Sequence, residues 1–265
     1  MPETVRRTII SFSQLDQYIR CPLKYRFMYV DRVDPEWIPA ALIFGRGIDT
    51  AAAHYFRGAQ AGAPPSLAEV QDVFASYWDL ETSLREVKFW KGSKAELLDQ
   101  GTRMLAVFHA GQDPATDIVD VQRRLTVPLI DQQTGEVLDR ELVVVMDLLE
   151  RDREGHLVVV DLKTAGRKYT ELQVETSLQL TVYSYAAEMG GLADREDVRL
   201  RFDVLTKTKV PELHRYPTSR DRQANVRLFR LASEVLRGVE AGVFHPVVGW
   251  QCKECQFKTN CWAWQ

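Results

Sequence analysis

The chain has 265 residues, of which 45% are hydrophobic and 27% charged, a composition typical of a folded globular protein rather than a disordered or fibrous one. Lysine and arginine number 34 and aspartate and glutamate 37, and the formal net charge of −3 excludes a uniformly basic coat for nucleic acid. The strongest apolar run, 142–149, is interrupted by Asp147 and is much shorter than the roughly 18 residues of a membrane span. The N-terminus lacks the apolar core of a secretory signal. We therefore expect a cytoplasmic protein with no membrane partner.

Helical patterns dominate the first half of the chain. Ser13, followed by Asp16 three residues later, predicts a capped helix. This helix should end near Cys21-Pro22, because the residue before a proline avoids helical backbone angles. Apolar spacings of three and four residues predict further helices, over 25–29, 48–56, 66–77 and 95–109.

The pattern changes after Asp117, where segments rich in Val, Leu and Ile alternate with turn residues. These segments predict an antiparallel meander, with strands over 123–130, 137–150 and 157–164. A helix over 175–189, a strand over 198–206 and a basic helix over 220–239 complete the predicted elements. We expect one α/β domain over 1–265, with a helical insertion near 55–115 and a core over about 118–240.

The four cysteines lie at the two ends of the chain, at Cys21, Cys252, Cys255 and Cys261. Without a secretory signal the compartment should be reducing, and structural disulfides are rare there. A metal site is therefore favoured over two disulfides, and four thiolates can hold either zinc or an iron–sulfur cluster. The spacing leaves that choice open. Either site would join the chain ends and contribute directly to folding free energy.

Several aromatic residues surround the last three cysteines in the sequence. They are Trp250, Phe257, Trp262 and Trp264. An apolar shell restricts solvent at a metal centre, but ordinary core packing explains the same residues equally well.

The most specific local pattern is Val160-Asp161-Leu162-Lys163 at the end of a predicted strand. Side chains alternate along a strand, so Asp161 and Lys163 share one face. Asp147 interrupts an apolar strand, and burying a carboxylate is costly unless it is paired or bound to metal. A short hairpin could bring Asp147 and Asp161 to one cation. A plain salt-bridge cluster is the alternative for these residues alone.

Three further residues strengthen the metal-site interpretation. Gln179 and Tyr183 are four residues apart on a predicted helix and so share a face. His54 follows three alanines in another helix, where small side chains allow a partner to approach closely.

In this order the motifs resemble the PD-(D/E)XK nuclease superfamily. Within it they resemble the RecB/AddB-like iron–sulfur exonuclease branch, which includes exonucleases associated with CRISPR adaptation. The resemblance covers nearly the whole chain and depends on six motifs in the right order. These are the Ser11–Leu15 segment with Cys21–Tyr25, Phe44-Gly45 through His54, Asp147, Asp161-Leu162-Lys163, Gln179 with Tyr183, and the three late cysteines.

The resemblance implies a restriction-endonuclease-like core, a central mixed sheet flanked by helices, with an iron–sulfur region over 1–30 and 245–265. It implies that His54, Asp147, Asp161 and the Leu162 carbonyl hold Mg²⁺ or Mn²⁺. Lys163 would position the attacking water, and Gln179 and Tyr183 would orient the site. The four cysteines would hold a 4Fe-4S cluster, with zinc as the alternative. No phosphate-binding glycine loop of the ATPase type occurs, so we expect no nucleotide cofactor.

The segment 199–230 contains nine basic and three acidic residues, which suits a polyanion, although a solvated basic face is the commoner explanation of such a run. We expect DNA binding by Arg199, Arg201, Lys207, Lys209, Arg220, Arg222 and Arg227. The hypothesis is a metal-dependent exonuclease acting on single-stranded DNA ends in repair, recombination or CRISPR adaptation, with a helicase or a CRISPR integrase as candidate partner. The alternatives are an inactive DNA-binding or scaffold protein with a degenerate nuclease fold, and a redox-sensing iron–sulfur protein.

Overall fold

A computed structural model describes residues 9–264. The strands are β1 (Ile9–Ser11), β2 (Ile38–Pro39), β3 (Val87–Lys88), β4 (Asp117–Ile130), β5 (Val137–Arg151), β6 (Leu157–Ala165), β7 (Val198–Thr206) and β8 (Leu213–Thr218). The α-helices are α1 (Phe12–Arg20), α2 (Pro22–Tyr25), α3 (Ala40–Gln60), α4 (Leu67–Leu84), α5 (Lys94–Ala110), α6 (Glu171–Glu175), α7 (Leu178–Met189), α8 (Arg222–Glu240) and α9 (Lys258–Trp262). A π-helical segment, Arg26–Val30, follows α2, and short 3₁₀ turns occur at Arg195–Asp197 and Trp250–Glu254.

The central sheet is mixed and has six strands in the order β1-β5-β6-β7-β8, with β4 also paired to β5. The predicted meander of β4, β5 and β6 is antiparallel, as expected. β7 then pairs in parallel with β6, and β8 returns antiparallel to β7. β1 and β8 were not predicted, because three and six residues give little alternation to detect.

Helices cover both faces of this sheet, as predicted for the α/β class. On one face α1, α7 and α8 pack against strand residues such as Met146, Val159 and Leu200. On the other face α3, α4 and α5 pack against residues such as Leu148 and Val160. The sheet is therefore buried on both sides, which explains the apolar runs along β5 and β6.

Two predicted helix starts are wrong. Ser11, not Ser13, caps α1, where its hydroxyl accepts the Gln14 backbone N–H and the Gln14 side chain accepts the Ser11 N–H. α3 begins eight residues before the predicted start, so that it includes Gly45 and Gly47. A Cβ at Gly47 would lie 2.9 Å from the Phe74 ring, so the close packing of α3 on α4 favours a glycine that helix propensity alone would disfavour.

The two ends of the described chain contact each other. The Leu23 amide donates to the His245 carbonyl at 3.1 Å, and the Tyr18 hydroxyl donates to the Val243 carbonyl at 2.8 Å. Residues 1–8, at the start of the predicted iron–sulfur region, and residue 265 lie outside the described residues. Across residues 9–264, no helix combines the length and apolarity that a bilayer crossing requires.

Candidate active site

Asp161 lies at the centre of the candidate site and is fully buried, at 0% exposure. Its Oδ1 accepts hydrogen bonds from the Gln179 amide at 2.7 Å and from the Tyr183 hydroxyl at 2.9 Å. The Gln179 amide also donates to the Tyr183 oxygen at 2.9 Å. Both partners project from one face of α7, as their four-residue spacing predicted. Together they fix the orientation of the Asp161 carboxylate.

Asp147 enters the site where the strand ladder changes. Along one edge, β5 pairs with β1 through residues 141–143 and with β6 through residues 148–151. Asp147 lies between these two pairings, and its Oδ2 accepts the Leu162 backbone N–H at 3.1 Å. On the other edge of β5, Gln122 of β4 has a left-handed φ of 55°. Gln122, Asp147 and Leu162 line one pocket. The diverging strands thus leave a cleft beside Asp147.

Lys163 supplies the positive charge of the site. Its Nζ lies 2.6 Å from Asp161 Oδ2, an oxygen that accepts no hydrogen bond of normal geometry from the described residues. Burial alone would lower the pKa of Lys163, but the carboxylates of Asp161 and Asp147 outweigh that effect and raise it. The lysine is therefore held as an ammonium.

Asp49 of α3 is a member of the site that the sequence analysis missed. It lines the same pocket as Asp147 and Leu162. Burial raises the pKa of Asp49 to about 7, opposed by Lys163 and reinforced by Asp161. A signal was present in the sequence, because Gly45-Arg46-Gly47-Ile48-Asp49 places a carboxylate one helical turn after Gly45.

His54 is exposed and does not line this pocket. Its electrostatic influence falls on Glu69, whose pKa is lowered mainly by hydrogen bonds to Ser66 and to a smaller degree by His54. His54 follows Asp49 by five residues on α3, so its side chain is rotated by about 140° around the helix axis relative to that of Asp49. The structure therefore brings Asp49, rather than the predicted His54, to the acidic group.

The donors of this site fit a divalent cation. Asp49, Asp147 and Asp161 offer carboxylate oxygens, which suit Mg²⁺ and Mn²⁺. The pKa of Asp147 is raised well above its usual range, first by burial and then by Asp161 and Asp49. One lysine does not balance three carboxylates, and a divalent cation would relieve the remaining repulsion.

A separate group of ligand-type residues lies at the β5–β6 turn. Asp152, Glu154 and His156 bring one ligand atom each within 4.8 Å of one another. Asp152 accepts the backbone N–H groups of Glu154 and His156 at 3.0 and 2.8 Å. These bonds close the hairpin turn, and they account for the grouping without a cation.

The predicted catalytic side chains of Asp147, Asp161, Lys163, Gln179 and Tyr183 thus meet at one place, and their roles stay predictions. The Leu162 amide contacts Asp147 and its side chain lines the pocket. Its carbonyl as a metal ligand also stays a prediction.

All four cysteines are free thiols and partly buried. Burial raises the pKa of Cys261, and Cys21, Cys255 and Cys252 add to that shift, in this order. The four thiols are therefore electrostatic neighbours although they come from opposite ends of the sequence. Leu23, Phe27 and Phe257 form the buried cluster against which Cys21, Cys255 and Cys261 pack.

The predicted aromatic shell is only partly correct. Phe257 is buried, but Trp250, Trp262 and Trp264 are exposed, the first two by 85% and 78%. The sequence pattern could not distinguish inward from outward rings, because this segment folds into two short helical turns rather than a long periodic helix.

Most of the predicted DNA-binding arginines contact the protein itself. Arg201 bridges Glu150 and Asp203 at 2.5 and 2.6 Å, and Arg220 donates to the Thr181 hydroxyl and the Val174 carbonyl at 2.9 and 2.8 Å. These two arginines hold elements together, which the basic pattern alone could not reveal. Arg199 and Arg222 donate to backbone carbonyls, Arg227 lies 3.8 Å from Asp221, Lys207 lies over the Phe44 ring, and Lys209 is exposed. DNA contact by all seven predicted residues stays a prediction.

Comparison with one solved structure supports the fold. This structure, of a "putative exonuclease" from Eubacterium rectale, aligns with a TM-score of 0.56 at 15% identity, covering 97% of this chain and 88% of that one. A second structure, SSO0001, gives a TM-score of 0.37 at 14% identity, with 95% of each chain covered. No curated protein sequence matches the chain significantly.

The family comparison covers almost the whole chain. The family model of the PD-(D/E)XK nuclease superfamily, whose members use divalent metals, matches residues 9–262. That match does not specify the RecB/AddB-like iron–sulfur branch, which stays a prediction. The mixed sheet flanked by helices and the acidic residues beside Lys163 agree with this family. The chain belongs to the PD-(D/E)XK nuclease superfamily.

Proposed function

We propose that the chain is a Mg²⁺- or Mn²⁺-dependent deoxyribonuclease that acts as an exonuclease on single-stranded DNA ends. The observation that carries this proposal is the buried contact of Asp161 with Lys163, Gln179 and Tyr183, beside Asp49 and Asp147. Burial disfavours the charge of a carboxylate, so the grouping of the buried Asp161 with the partly buried Asp49 and Asp147 favours a site in which a cation holds the acids together.

In this proposal Asp49, Asp147 and Asp161 hold the cation. When bound, the cation polarises the scissile phosphate and lowers the pKa of a coordinated water. Tyr183 and Gln179 hold Asp161 Oδ1 and leave Oδ2 directed toward Lys163. Lys163, kept protonated by its acidic neighbours, orients the water and stabilises the charge that develops on phosphate.

We further propose that Cys21, Cys252, Cys255 and Cys261 hold a 4Fe-4S cluster with a structural role. The effect of Cys21, Cys255 and Cys252 on the pKa of Cys261 and the apolar cluster beside these cysteines support this assignment. Zinc is the second candidate, because four thiolates also suit a tetrahedral zinc site. A brown preparation that absorbs broadly in the visible range identifies iron and sulfur, whereas a colourless one containing zinc supports the alternative.

The nuclease proposal is tested with end-labelled single-stranded oligonucleotides, with Mg²⁺ and Mn²⁺ in parallel. We expect stepwise shortening from one end, abolished by EDTA. Lys163→Ala should reduce the rate by at least the roughly 10²–10³-fold lost with one transition-state donor. Lys168→Ala is the matched control, since Lys168 is an exposed lysine paired with Glu212. Equal rates for the two variants would contradict the catalytic assignment, and no cleavage by the native chain would favour the inactive DNA-binding alternative.

A further inference from the structure

A basic and aromatic surface lies at the sheet edge next to the candidate site. The backbone N–H of Lys207, just after β7, donates to the carbonyl of Ala165 at the end of β6 at 2.6 Å. Ala165 is only two residues beyond Lys163 along β6, which corresponds to about 7 Å in a strand. The Lys207 Nζ lies 5.6 Å from the centre of the Phe44 ring in α3.

The segment between α4 and α5 adds two tryptophan contacts to this edge. Pairing of β2 with β3 sets Pro39 opposite Lys88. The Lys88 Nζ lies 4.6 Å from the Trp37 ring centre and 5.8 Å from that of Trp90. The two indoles meet edge to face at 5.8 Å. The pairing thus presents a lysine and an indole side by side on a short, anchored segment.

The positive charges of this surface have no acidic partners within residues 9–264. Lys88, Lys91 and Lys207 form no ion pair there, unlike Lys94 and Lys168 on neighbouring segments, which are paired with Asp79 and Glu212. Lys207 and Lys91 repel each other: the pKa of Lys207 is lowered first by burial and then by Lys91. A polyanion would remove this repulsion.

The exposure of the aromatic residues suits a flat ligand. Trp37 is buried, at 6%, and supports Trp90, which remains 43% exposed. Bases of single-stranded nucleic acid stack on such rings whatever their sequence, while lysines beside the rings contact phosphates. An acidic protein segment would satisfy the charges but would not need an exposed indole.

We propose that Lys88, Trp90, Lys91 and Lys207 form the surface that receives the single-stranded end of the substrate. Trp90 stacks a base, and the three lysines contact phosphates on the path toward the acidic site. The inference rests on the proposed nuclease function for its substrate class. It keeps Lys207 from the predicted DNA-binding residues but moves the main substrate contact away from the protein-paired arginines of β7 and α8 and onto the segment 88–91, which the sequence did not point to.

The test measures equilibrium binding of a labelled single-stranded oligonucleotide of about 12 nucleotides, within the usual site sizes. Ca²⁺ replaces Mg²⁺ so that binding is measured apart from cleavage. Trp90→Ala should weaken binding by about 5- to 100-fold, the range for loss of one stacked base, and Trp90→Phe should recover most of it. Lys91→Ala should reduce the slope of log affinity against log salt by about 0.7.

Trp250→Ala and Lys253→Ala are controls of the same residue types, because both residues are exposed and lie on the 3₁₀ turn outside the proposed surface. Thermal unfolding checks that each variant is folded, and Lys91→Glu, at an exposed side chain, gives a second test if Trp90→Ala is unstable. Loss of binding in the Trp90 and Lys91 variants alone supports the surface.

Two outcomes would overturn the inference. One is native binding and cleavage that the Trp90 and Lys91 variants leave unchanged, in which case the nuclease function survives. The other is a native chain that binds no single-stranded nucleic acid, which leaves an acidic protein as the occupant. Selective loss of binding in a chain that never cleaves would support the surface while the nuclease proposal fails.

Discussion

The acidic site and the cysteine region are built in opposite ways. At the acidic site, Asp161 is fully buried, and its contacts come from β6 and from α7, which packs on the sheet. At the cysteine region, only Leu23, Phe27 and Phe257 form a buried cluster, and the nearby Trp250 and Trp262 project outward. The fold holds the first region in place, whereas the metal proposed for the second would contribute much more to its stability.

This difference predicts different responses to metal loss. Removing a cation from the acidic site should leave the sheet and its helices intact, because packing on both faces supports them. Removing the proposed cluster from the cysteines should loosen the contact between the chain ends, since the buried apolar cluster there is small.

The largest expected effect is on catalysis at the acidic site. Asp161→Asn keeps the size of the side chain but removes the charge between Lys163 and the cation. We expect single-turnover cleavage to fall by more than about 10³-fold, beyond the loss of a single transition-state donor, with the thermal midpoint changed little. Asp152→Asn, in the β5–β6 turn, is the control and should cleave at the native rate. Comparable loss in both variants would show that Asp161 has no special role.

The next effect is on stability at the cysteine region. Cys255→Ser should abolish the visible absorption of an iron–sulfur cluster and lower the thermal midpoint by several degrees, because the ligand bonds contribute folding free energy. Asp161→Asn should keep both the absorption and the midpoint, so the two variants separate the two regions. An unchanged midpoint in colourless Cys255→Ser protein would mean that the ends are held by packing alone.

The sequence predicted the central elements well because their signals are local. The alternation and turns of β4 to β6 specified the meander, and the four-residue spacing of Gln179 and Tyr183 specified a shared face. Asp161 and Lys163 follow from strand alternation in the same way. Each of these relations is contained within one element or one hairpin.

What the sequence could not specify depends on contacts between distant elements. Asp49 and His54 lie on the same helix, and only the way α3 packs on the sheet decides which one faces Asp147. Arg201 counts as a basic residue in any charge inventory, yet Glu150 of another strand neutralises it. The long-range partner, not the residue type, determines the role.

The choice between Asp49 and His54 is directly testable. Asp49→Ala should reduce cleavage by at least the 10- to 100-fold typical of outer-shell changes at metal sites. It should also raise the Mg²⁺ or Mn²⁺ concentration needed for the half-maximal rate. His54→Ala should cleave at nearly the native rate. Measuring the rate against metal concentration for both variants distinguishes a metal ligand from a structural residue. A greater loss in His54→Ala would support the prediction of His54 as a metal ligand.

A smaller effect is expected from the residues that orient Asp161. Tyr183→Phe removes one hydrogen bond to Oδ1 while the Gln179 bond remains. We expect a loss near the lower end of the 10- to 100-fold range, seen as a higher metal concentration for half-maximal rate. Tyr185→Phe, on the same helix but bonded to the Pro128 carbonyl, should leave the metal dependence unchanged. Equal metal dependence in the two variants would contradict an orienting role for Tyr183.

The smallest expected effect is the pH dependence of stability in the metal-free protein. The pKa of Asp49 is about 7 in the folded chain against 3.8 as its ordinary value. Between these two values the folded state keeps a proton that the unfolded chain has released, so this group makes the fold less stable as pH rises. In EDTA, the thermal midpoint of native protein should therefore fall relative to that of Asp49→Asn between about pH 4 and about pH 7. Mg²⁺ should reduce the difference, because the cation replaces the proton in neutralising the carboxylates. A native-minus-variant difference that does not change with pH would show that Asp49 does not titrate in this range, and the electrostatic basis for placing it among the cation ligands would be lost.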